Sequence, residues 1–377
     1  MQSWKSLCFI ATVEYSVDAF LYNHLKELSK FYKITVITNN KNKNFLTGKI
    51  KGITVIDIKF SRKINLYNDV ICLLHLFTIF FKKKFDVITT ITPKAGLLGI
   101  FAAFFTFVPI RIHCFTGQIW ATKFGWKRSF FKFIDKFINC MSTRNIVDGK
   151  SQYDFLLSEN VISKKKSIVF ANGSICGVDL TRFKPNKDTR LRLRKSYDIP
   201  NSAFVFLFVG RLNNEKGIND LLSAFKKANL KSAFLFLVGP DEENIYLKVK
   251  NIKNIIIHEF TASPEDFMTS SNLLCLPSYR EGFGNVVIEA AAVGTPSMVS
   301  DIYGLSDSVI SNKTGLIHKV GDIEQMVILL KTAHHNKLLV KKLGERARAR
   351  VIKEFNSKLL TEHWVNFYKK ETSRLLN

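Results

Sequence analysis

Short apolar runs alternate with segments of helical periodicity along the whole chain, and this pattern predicts its elements. In the first half, strands are predicted at residues 7–13, 34–38, 53–58, 87–91, 112–115, 145–148 and 167–170. The helices predicted around them cover residues 20–30, 66–83, 96–107, 127–141 and 152–159. Near-continuous runs of Val, Ile and Phe that are separated by helices are typical of a parallel sheet covered on both faces.

The alternation begins again after a loop at residues 171–186 that is punctuated by Gly, Asn and Pro. Further strands are predicted at residues 204–209, 234–238, 255–258, 273–276 and 297–300. The accompanying helices are predicted at residues 191–197, 218–227, 264–270, 285–293, 323–333, 336–355 and 358–375. A chain of 377 residues is also longer than one hydrophobic core normally serves. The pattern therefore predicts an α/β protein of two Rossmann-like domains in tandem.

We place the first domain at residues 1–185 and the second at residues 186–356. The last helix, within residues 357–377, is predicted to pack back toward the first domain. Because ligands of open α/β sheets bind beyond the carboxyl ends of the strands, a ligand is expected in a cleft between the two domains.

The net charge of +25 favours an anionic partner, such as phosphates, an anionic lipid surface or nucleic acid. A solvated, lysine-rich surface explains the charge equally well. The six cysteines are scattered and form no C-x-x-C pair, which is typical of reduced thiols in the cytoplasm. The apolar run at residues 7–13 is better explained by a first strand than by a signal peptide. Those at residues 70–81 and 95–110 are too short to span a membrane.

A first candidate anion site follows the predicted strand 204–209, in the segment GRLNNEKG at residues 210–217. Its glycines permit tight turns, and Arg211 and Lys216 bring two cations to one lip of the sheet. A diphosphate suits such a pair, because charge-assisted hydrogen bonds contribute roughly 1.5–3 kcal/mol each. The alternative is a surface turn whose charges are simply solvated.

A second candidate site follows strand 273–276, in the segment PSYREGFGNVVIE at residues 277–289. The backbone N–H groups at the start of its helix, around Gly284 and Asn285, form an anion site. Glu289 lies within an otherwise apolar helix, where a carboxylate is costly unless it is hydrogen-bonded. A ribose diol offers two donors for it, whereas a favourable helix dipole alone leaves the apolar surroundings unexplained. Glu281 lies in the loop, where it can face a sugar.

Together with HCFTGQ at residues 113–118, ANGS at 171–174 and GVDLTRF at 177–183, these segments resemble the family 4 retaining glycosyltransferases of GT-B fold. The likeness is to bacterial surface-polysaccharide members and extends over essentially the whole chain. The E-x7-E element of that family corresponds to Glu281 and Glu289. The resemblance implies two facing Rossmann-like domains with the donor bound in the cleft.

The resemblance also implies a role for each matching residue. Arg211 and Lys216 would neutralise the diphosphate leaving group, and Glu281 would bind hydroxyls of the transferred sugar. His113, at the end of a strand, would approach the donor sugar from across the cleft; the alternative is a histidine satisfied in the core. The expected nucleotide-binding residues are Gly210, Phe260, Gly282, Phe283, Gly284, Asn285 and Glu289.

Two segments depart from the family pattern. The segment TVEYSVD at residues 12–18 has no glycine where many relatives have a glycine-rich loop, and we assign Asp18 to the acceptor side. The segment HEFT at residues 258–261 lacks a glycine often found near the base, so the identity of the base is left open.

The implied reaction is departure of the diphosphate from an oxocarbenium-like centre, with attack by an acceptor hydroxyl on the same face. Because the chain contains no D-x-D, we expect no metal, and no cofactor besides the nucleotide-sugar. The resemblance suggests a UDP-hexose or UDP-N-acetylhexosamine donor. The implied acceptor is an undecaprenyl-diphosphate glycan in O-antigen or capsule synthesis.

The segment at residues 123–140 interleaves five cations with six aromatic residues. Such a helix can lie on anionic lipid at the inner face of the plasma membrane, with roughly 1 kcal/mol per cation. In the alternative, the phenylalanines form the core of the domain and the lysines face water.

Three other functions are weighed against glycosyl transfer. A sugar-nucleotide epimerase or hydrolase on the same scaffold would turn over the donor without an acceptor. A basic nucleic-acid-binding protein is disfavoured, because the lysines are dispersed and no nucleic-acid motif is present. A module that only binds is disfavoured by the set of Arg211, Lys216, Glu281 and Glu289.

Overall fold

The computed structural model describes residues 4–42, 45–61 and 64–375. The chain forms two compact units. The first comprises the residues up to Cys176 together with those from Ser357 onward, and the second runs from Gly177 to Asn356. The chain therefore enters the second unit nine residues before the boundary predicted after residue 185, and Phe183 lies in the core of that second unit.

The first unit contains a seven-stranded parallel sheet of order β3-β2-β1-β4-β5-β6-β7. Its strands are β1 Ser6–Val13, β2 Lys33–Asn39, β3 Ile53–Asp57, β4 Val87–Ile91, β5 Ile110–Phe115, β6 Arg144–Val147 and β7 Ser167–Val169. Its helices are α1 Glu14–Leu28, α2 Leu66–Lys83, α3 Pro93–Phe105, α4 Gly125–Met141, α5 Lys150–Ser158 and α14 Ser357–Ser373, with a 3-10 turn at Ile119–Thr122.

The two faces of this sheet carry different helices. In β1, Leu7 and Phe9 belong to the core that also contains residues of α1 and α14. Cys8 and Ile10 point to the opposite face, where the core includes residues of α2 and α3. Helix α4 packs beside α3 on that second face, through a smaller core that contains Ile138. The helices α2, α3 and α4 thus form one continuous layer.

Helix α14 is held in the first unit by buried aromatic rings. The Trp364 ring stacks on His24 with centroids 5.0 Å apart, and its Nε1 donates to the Ile175 carbonyl at 2.8 Å. The Tyr368 hydroxyl is hydrogen-bonded to Thr89 on β4. These contacts explain why the last helix groups with the first unit, although the second unit precedes it in the chain.

The second unit contains a six-stranded parallel sheet of order β10-β9-β8-β11-β12-β13. Its strands are β8 Phe204–Val209, β9 Ala233–Val238, β10 Ile255–His258, β11 Leu273–Leu276, β12 Ser297–Ser300 and β13 Gly315–His318. Its helices are α6 Lys187–Ser196, α7 Ile218–Ala228, α8 Ile245–Val249, α9 Pro264–Ser270, α10 Asn285–Ala292, α11 Leu305–Ser308, α12 Ile323–His335 and α13 Lys337–Glu354, with a 3-10 turn at Asn214–Lys216.

The predicted α/β class with two Rossmann-like units is confirmed, but some elements differ from expectation, among them α6, which begins four residues before its predicted start. Strand β13 and the short helices α8 and α11, of four or five residues each, were not predicted. Helix α1 begins at Glu14, six residues before the predicted start, and its N-cap Val13 provides no side-chain cap. Within the described ranges, no helix is long and apolar enough to cross a membrane.

Candidate active site

The order of the second sheet reverses direction between β8 and β11. From β8 the chain continues to β9 on one side, whereas β11 continues to β12 on the other. A crevice beyond the carboxyl ends of the strands at such a switch point is the usual ligand site of an open α/β sheet. The segments 210–217 and 277–284 follow β8 and β11, so the topology brings both predicted motifs to this crevice.

The two loops are in direct contact at Gly217. This residue has a φ of +69°, and a Cβ atom on it would lie 2.0 Å from the Pro277 carbonyl oxygen. Close by, the Tyr279 amide donates to the Glu215 carbonyl at 2.9 Å. Glycine is therefore required here both for its left-handed backbone and for the absence of a side chain.

Lys216 and Glu281 meet across these loops. The Lys216 Nζ lies 2.5 Å from the Glu281 Oε1, and the Ser278 hydroxyl donates to the same oxygen at 2.8 Å. The side chains of Lys216 and Glu281 are 19% and 13% exposed, so the pair is only partly screened by solvent. The Asn213 side chain accepts from the Lys216 amide and fixes the short turn that carries the lysine.

Arg211, the other predicted cation, is held by carboxylates. Its NH1 donates to the Glu242 Oε2 at 3.0 Å, and its NH2 lies 3.8 Å from the Glu215 carboxylate. Glu242 also accepts from the Asn213 side-chain amide at 2.7 Å. The role of Glu242 was not predicted, because nothing in the sequence connects the loop after β9 with the loop after β8. Arg211 and Lys216 are thus each engaged by a different carboxylate.

Gly210 and Gly239 bring the loops after β8 and β9 together. A Cβ atom on Gly239 would lie 2.0 Å from the Gly210 carbonyl oxygen. The Leu212 amide also donates to the Pro240 carbonyl at 2.9 Å. The Gly210 carbonyl therefore lies so close to the backbone of Gly239 that position 239 has no room for a side chain.

The loop from Gly282 to Gly284 leads into α10, which begins at Asn285. Gly284 is its N-cap, with a φ of +77° and no side chain to cap the helix. A Cβ atom on Gly304 would lie 2.5 Å from the Gly282 carbonyl oxygen, so this loop is tightly packed. The Phe283 ring is buried against Phe355 in the core, which leaves only its backbone to contact a nucleotide. Phe260, which follows β10, is exposed instead.

Glu289 lies on α10 with a half-buried side chain. Burial raises its pKa to about 7, nearby Arg182 opposes the shift, and Glu265 adds to it. Arg182 is itself bound by both oxygens of Glu265, at 3.0 and 2.8 Å. The Glu289 side chain makes no hydrogen bond to the described residues. The neighbours Arg182 and Glu265 were not predicted, since they are 83 positions apart in the sequence.

His113 belongs to the first unit, near the carboxyl end of β5. Its ring is buried, its Nδ1 is hydrogen-bonded to the Thr90 hydroxyl at 2.8 Å, and it lies against Gly96. Burial lowers the pKa of this histidine to about 3, so the ring is neutral at physiological pH. It borders a small cavity of about 10 Å³, lined also by Gln118 and Asp135.

Asp18 lies on α1 and not in a loop, because the helix begins directly after β1. Its Oδ1 is 3.3 Å from the Lys49 Nζ, and both side chains are about half exposed. The ends of β1 and β4 are joined nearby by a 2.6 Å hydrogen bond between the Thr12 and Thr92 hydroxyls. The structure therefore gives Asp18 a surface ion pair.

Solved structures of the same architecture cover nearly the whole chain. The crystal structure of HepE from Anabaena matches 97% of this chain and all of that one, with a TM-score of 0.82 and 16% identity. The structure of WaaG, a glycosyltransferase involved in lipopolysaccharide biosynthesis, matches 95% and 98%, with a TM-score of 0.75 and 14% identity. Two Rossmann-like units of this type define the GT-B class of glycosyltransferases.

The sequence comparisons are more specific. The profile described as Glycosyl transferases group 1 matches residues 189–350. The capsular polysaccharide biosynthesis glycosyltransferase CapM of Staphylococcus aureus is 30% identical over 82% of this chain and 83% of its own. A UDP-Gal:α-D-GlcNAc-diphosphoundecaprenol α-1,3-galactosyltransferase of Escherichia coli is 26% identical over 78% of both chains. The protein belongs to the group 1 glycosyltransferases, of the type that builds bacterial capsules and other surface polysaccharides.

Proposed function

We propose that the enzyme transfers a hexose or N-acetylhexosamine from a UDP-sugar to a lipid-linked glycan, with retention of the anomeric configuration. The observation that carries this proposal is the Lys216–Glu281 contact at the switch point of the second sheet. It puts a cation for a leaving phosphate directly beside a carboxylate for sugar hydroxyls. This arrangement suits a nucleotide-sugar donor, in which the phosphate is bonded directly to the sugar.

The choice of donor and acceptor is supported by the related proteins. The Escherichia coli relative is named for UDP-galactose and a diphosphoundecaprenol-linked acceptor. The HepE crystal structure was obtained with UDP and glucose. For this chain, the corresponding proposal is a UDP-hexose or UDP-N-acetylhexosamine donor and an undecaprenyl-diphosphate glycan.

In the proposed mechanism, Lys216 and Arg211 stabilise the negative charge that develops on the departing diphosphate. Preorganised cations are most effective where charge develops in the transition state. The amides at the start of α10, around Gly284 and Asn285, add a partial positive charge. These groups suit a reaction without a metal ion, and activity that persists in a chelator would test that part of the proposal.

Glu281 is proposed to bind the transferred sugar. Its Oε1 is occupied by Lys216 and Ser278, whereas its Oε2 makes no hydrogen bond within the described residues. The free oxygen can accept hydrogen bonds from sugar hydroxyls while Lys216 and Ser278 fix the orientation of the carboxylate. The Glu281 carboxylate thus serves as a fixed hydrogen-bond acceptor for the sugar hydroxyls.

Glu289 is proposed to accept hydrogen bonds from the ribose hydroxyls, and the backbone of Gly210, Gly282 and Phe283 to line the nucleotide. Phe260 is the proposed contact of the base, because its ring is exposed beyond β10. For His113, burial lowers the pKa to about 3, which makes the ring a weak base. Its proposed part is that of a neutral hydrogen-bonding group toward the donor sugar.

The test is a screen of UDP-, GDP- and dTDP-sugars with a synthetic polyprenyl-diphosphate glycan, with products examined by NMR. The expected result is acceptor-dependent turnover of one UDP-sugar and an α-linked product from an α-linked donor. Donor turnover without acceptor would instead identify a hydrolase or epimerase. An inverted linkage would overturn the proposed stereochemistry. The proposed location is the inner face of the plasma membrane, where polyprenyl-linked acceptors are accessible.

A further inference from the structure

The outer side of the helix layer α2–α3–α4 in the first unit is unusually aromatic. Six large rings on it are between 42% and 74% exposed, although a soluble surface usually shows such residues singly. We call this surface the aromatic face, and its exposed rings are Phe81, Phe104, Phe105, Trp126, Phe130 and Phe133.

Half-buried rings connect the three helices of the aromatic face. Phe101 of α3 lies 6.3 Å from Phe77 of α2 and 6.2 Å from Phe137 of α4, measured between ring centroids. The Phe77 ring is stacked with the Phe81 ring at a centroid distance of 6.5 Å, and the Phe137 ring with the Phe133 ring at 6.3 Å. These contacts join Phe81 to Phe133 across all three helices, and Phe105 and Phe104 adjoin the same row through Phe101. Trp126 and Phe130 precede Phe133 at helical spacings of seven and three residues, on the same side of α4.

The basic helix expected at residues 123–140 corresponds to α4, but not all of its cations are free to bind lipid. Arg128 and Lys132 both bind Glu159, at 2.6 and 2.5 Å, and are not available to an outside partner. Phe130 and Phe133 face solvent, so the alternative in which these phenylalanines form the core is wrong for them. The helix presents aromatic rings to solvent, and only part of its positive charge remains available to an outside partner.

The remaining charge around the aromatic face is positive. Lys82, Lys83 and Lys84 follow Phe81 at the end of α2, and Lys127 and Lys136 lie exposed on α4. Both acidic residues of the three helices are engaged within the protein. Asp69 binds Lys94 at 2.8 Å, and buried Asp135 accepts from the Trp120 indole at 2.7 Å.

We infer that the aromatic face is a docking surface for an anionic lipid bilayer. Aromatic rings favour the boundary between headgroups and acyl chains, and the surrounding lysines match a negatively charged leaflet. A second copy of this chain would bring the same lysines face to face, which disfavours a dimer through this surface. The inference rests on the proposed function in one respect: a surface that binds the bilayer would bring the enzyme to an acceptor anchored in that bilayer.

The inference differs from simple electrostatic attraction of one basic helix in two ways. Helices α2 and α3 together contribute three of the six exposed rings, as many as α4, so substitutions on them should weaken binding too. Since inserted rings are not screened by salt, binding should weaken but persist when salt is raised.

The experiment measures co-sedimentation of the full chain with phosphatidylcholine vesicles, with and without phosphatidylglycerol. The substitutions are Phe130→Ser with Phe133→Ser on α4, and Phe81→Ser with Phe105→Ser on α2 and α3. The matched control is Ile328→Ser with Leu338→Ser, two residues of the second unit that are each 62% exposed. Circular dichroism and thermal unfolding establish that each variant is folded, which is expected because the replaced side chains face solvent.

The wild type and the control should bind vesicles that contain phosphatidylglycerol, and each aromatic pair should bind about tenfold more weakly or worse. Lys82→Gln with Lys136→Gln should lower binding to anionic vesicles and make it less dependent on salt. The inference is overturned if folded aromatic variants bind like the wild type. It is overturned also if the wild type ignores vesicles and forms a dimer that the aromatic substitutions dissociate.

Vesicle binding requires no donor or acceptor, so its outcome is independent of the enzymatic assignment. Turnover of a short, water-soluble acceptor analogue should be the same for the wild type and the aromatic variants. If that turnover is absent from all proteins while vesicle binding follows the expected order, the proposed function fails and the docking surface stands. If turnover is normal and no protein binds vesicles, the docking surface fails and the proposed function stands.

Discussion

The Nζ of Lys216 lies 2.5 Å from the Oε1 of Glu281, although 65 residues separate them in the sequence. The lysine ends a short turn after β8, and the glutamate lies in the loop after β11. The two strands are neighbours in the sheet, so the contact follows from the topology. Its chemical consequence is that a phosphate approaching Lys216 and a sugar approaching Glu281 are held at adjacent positions.

Replacing Lys216 with alanine should lower kcat by about 10²–10³-fold, because the cation acts on charge that develops in the transition state. The variant should remain folded, since the lysine side chain is not part of the core. Stopped assays with saturating donor and acceptor measure the effect directly.

The matched control is Lys227→Ala, which also removes a lysine paired with a glutamate, Glu324, but on the surface at the end of α7. That variant should keep kcat within about twofold, because an exposed ion pair contributes little. A folded Lys216→Ala enzyme with the turnover of the control would remove the leaving-group role.

Gly217→Ala should destabilise the second unit and separate the two loops. The left-handed backbone alone costs an alanine about 1–2 kcal/mol, and the clash with the Pro277 carbonyl oxygen at 2.0 Å adds roughly 1–3 kcal/mol. Gly294→Ala is the control, because that glycine has a φ of +88° and open space around it. Urea unfolding should therefore show a clearly larger loss for Gly217→Ala, accompanied by weaker donor binding; equal losses would contradict the loop contact.

The sequence predicts best what local patterns determine. Strands β1 to β12 are predicted because strand and helix periods are visible within ten residues or so. The E-x7-E element is identified from the family resemblance instead. Strand β13 is not predicted because GLIH is a four-residue run without a flanking signal. The start of α1 is placed too late because Val13 offers no recognisable cap.

Contacts between distant segments could not be predicted in this way. Glu242 reaches Arg211 only because β9 pairs with β8, and no spacing rule joins the two residues. The exposure of Phe130 and Phe133 could not be predicted either, since an amphipathic pattern does not say which face of a helix is covered by the rest of the protein. The ion pairs of Arg128 and Lys132 depend on Glu159, which lies one helix further along the chain.

Acid should destabilise the first unit through His24. Its Nε2 is hydrogen-bonded to the Ile175 carbonyl and its Nδ1 to the Thr361 hydroxyl, each at 2.8 Å. Burial lowers its pKa from 6.5 to about 4. The folded state then binds fewer protons than the unfolded state between these values. His24 should therefore contribute a fall of about 3 kcal/mol in the free energy of unfolding as the pH drops through that window, and no change above it.

Urea unfolding between pH 7.5 and pH 4.5 measures this dependence. His24→Gln should be less stable at neutral pH but should lose less on acidification than the wild type. His75→Gln, at an exposed position on α2, should leave the pH dependence unchanged. If His24→Gln and the wild type lose the same free energy in acid, His24 is not the group responsible.

Donor binding should depend on the ionisation of Glu289. Its pKa is raised from 4.5 to about 7 by burial, and the ionised form is the better acceptor for two ribose hydroxyls. The ionised fraction falls about tenfold between pH 8 and pH 6, so the affinity for a UDP-sugar should fall by a similar factor. A UDP-sugar is the appropriate probe, because its diphosphate has no proton that titrates in this range, whereas free UDP does.

Two substitutions separate Glu289 from other titrating groups. Glu289→Gln should bind the UDP-sugar weakly at pH 8 and show a nearly flat profile. Glu265→Gln should move the inflection of the wild-type profile to lower pH, because Glu265 raises the pKa of Glu289 and its removal also frees Arg182, which lowers it. Isothermal titration calorimetry across this range measures all three proteins. A wild-type profile that is flat, or one that Glu265→Gln leaves in place, would show that the ribose is not held by this carboxylate.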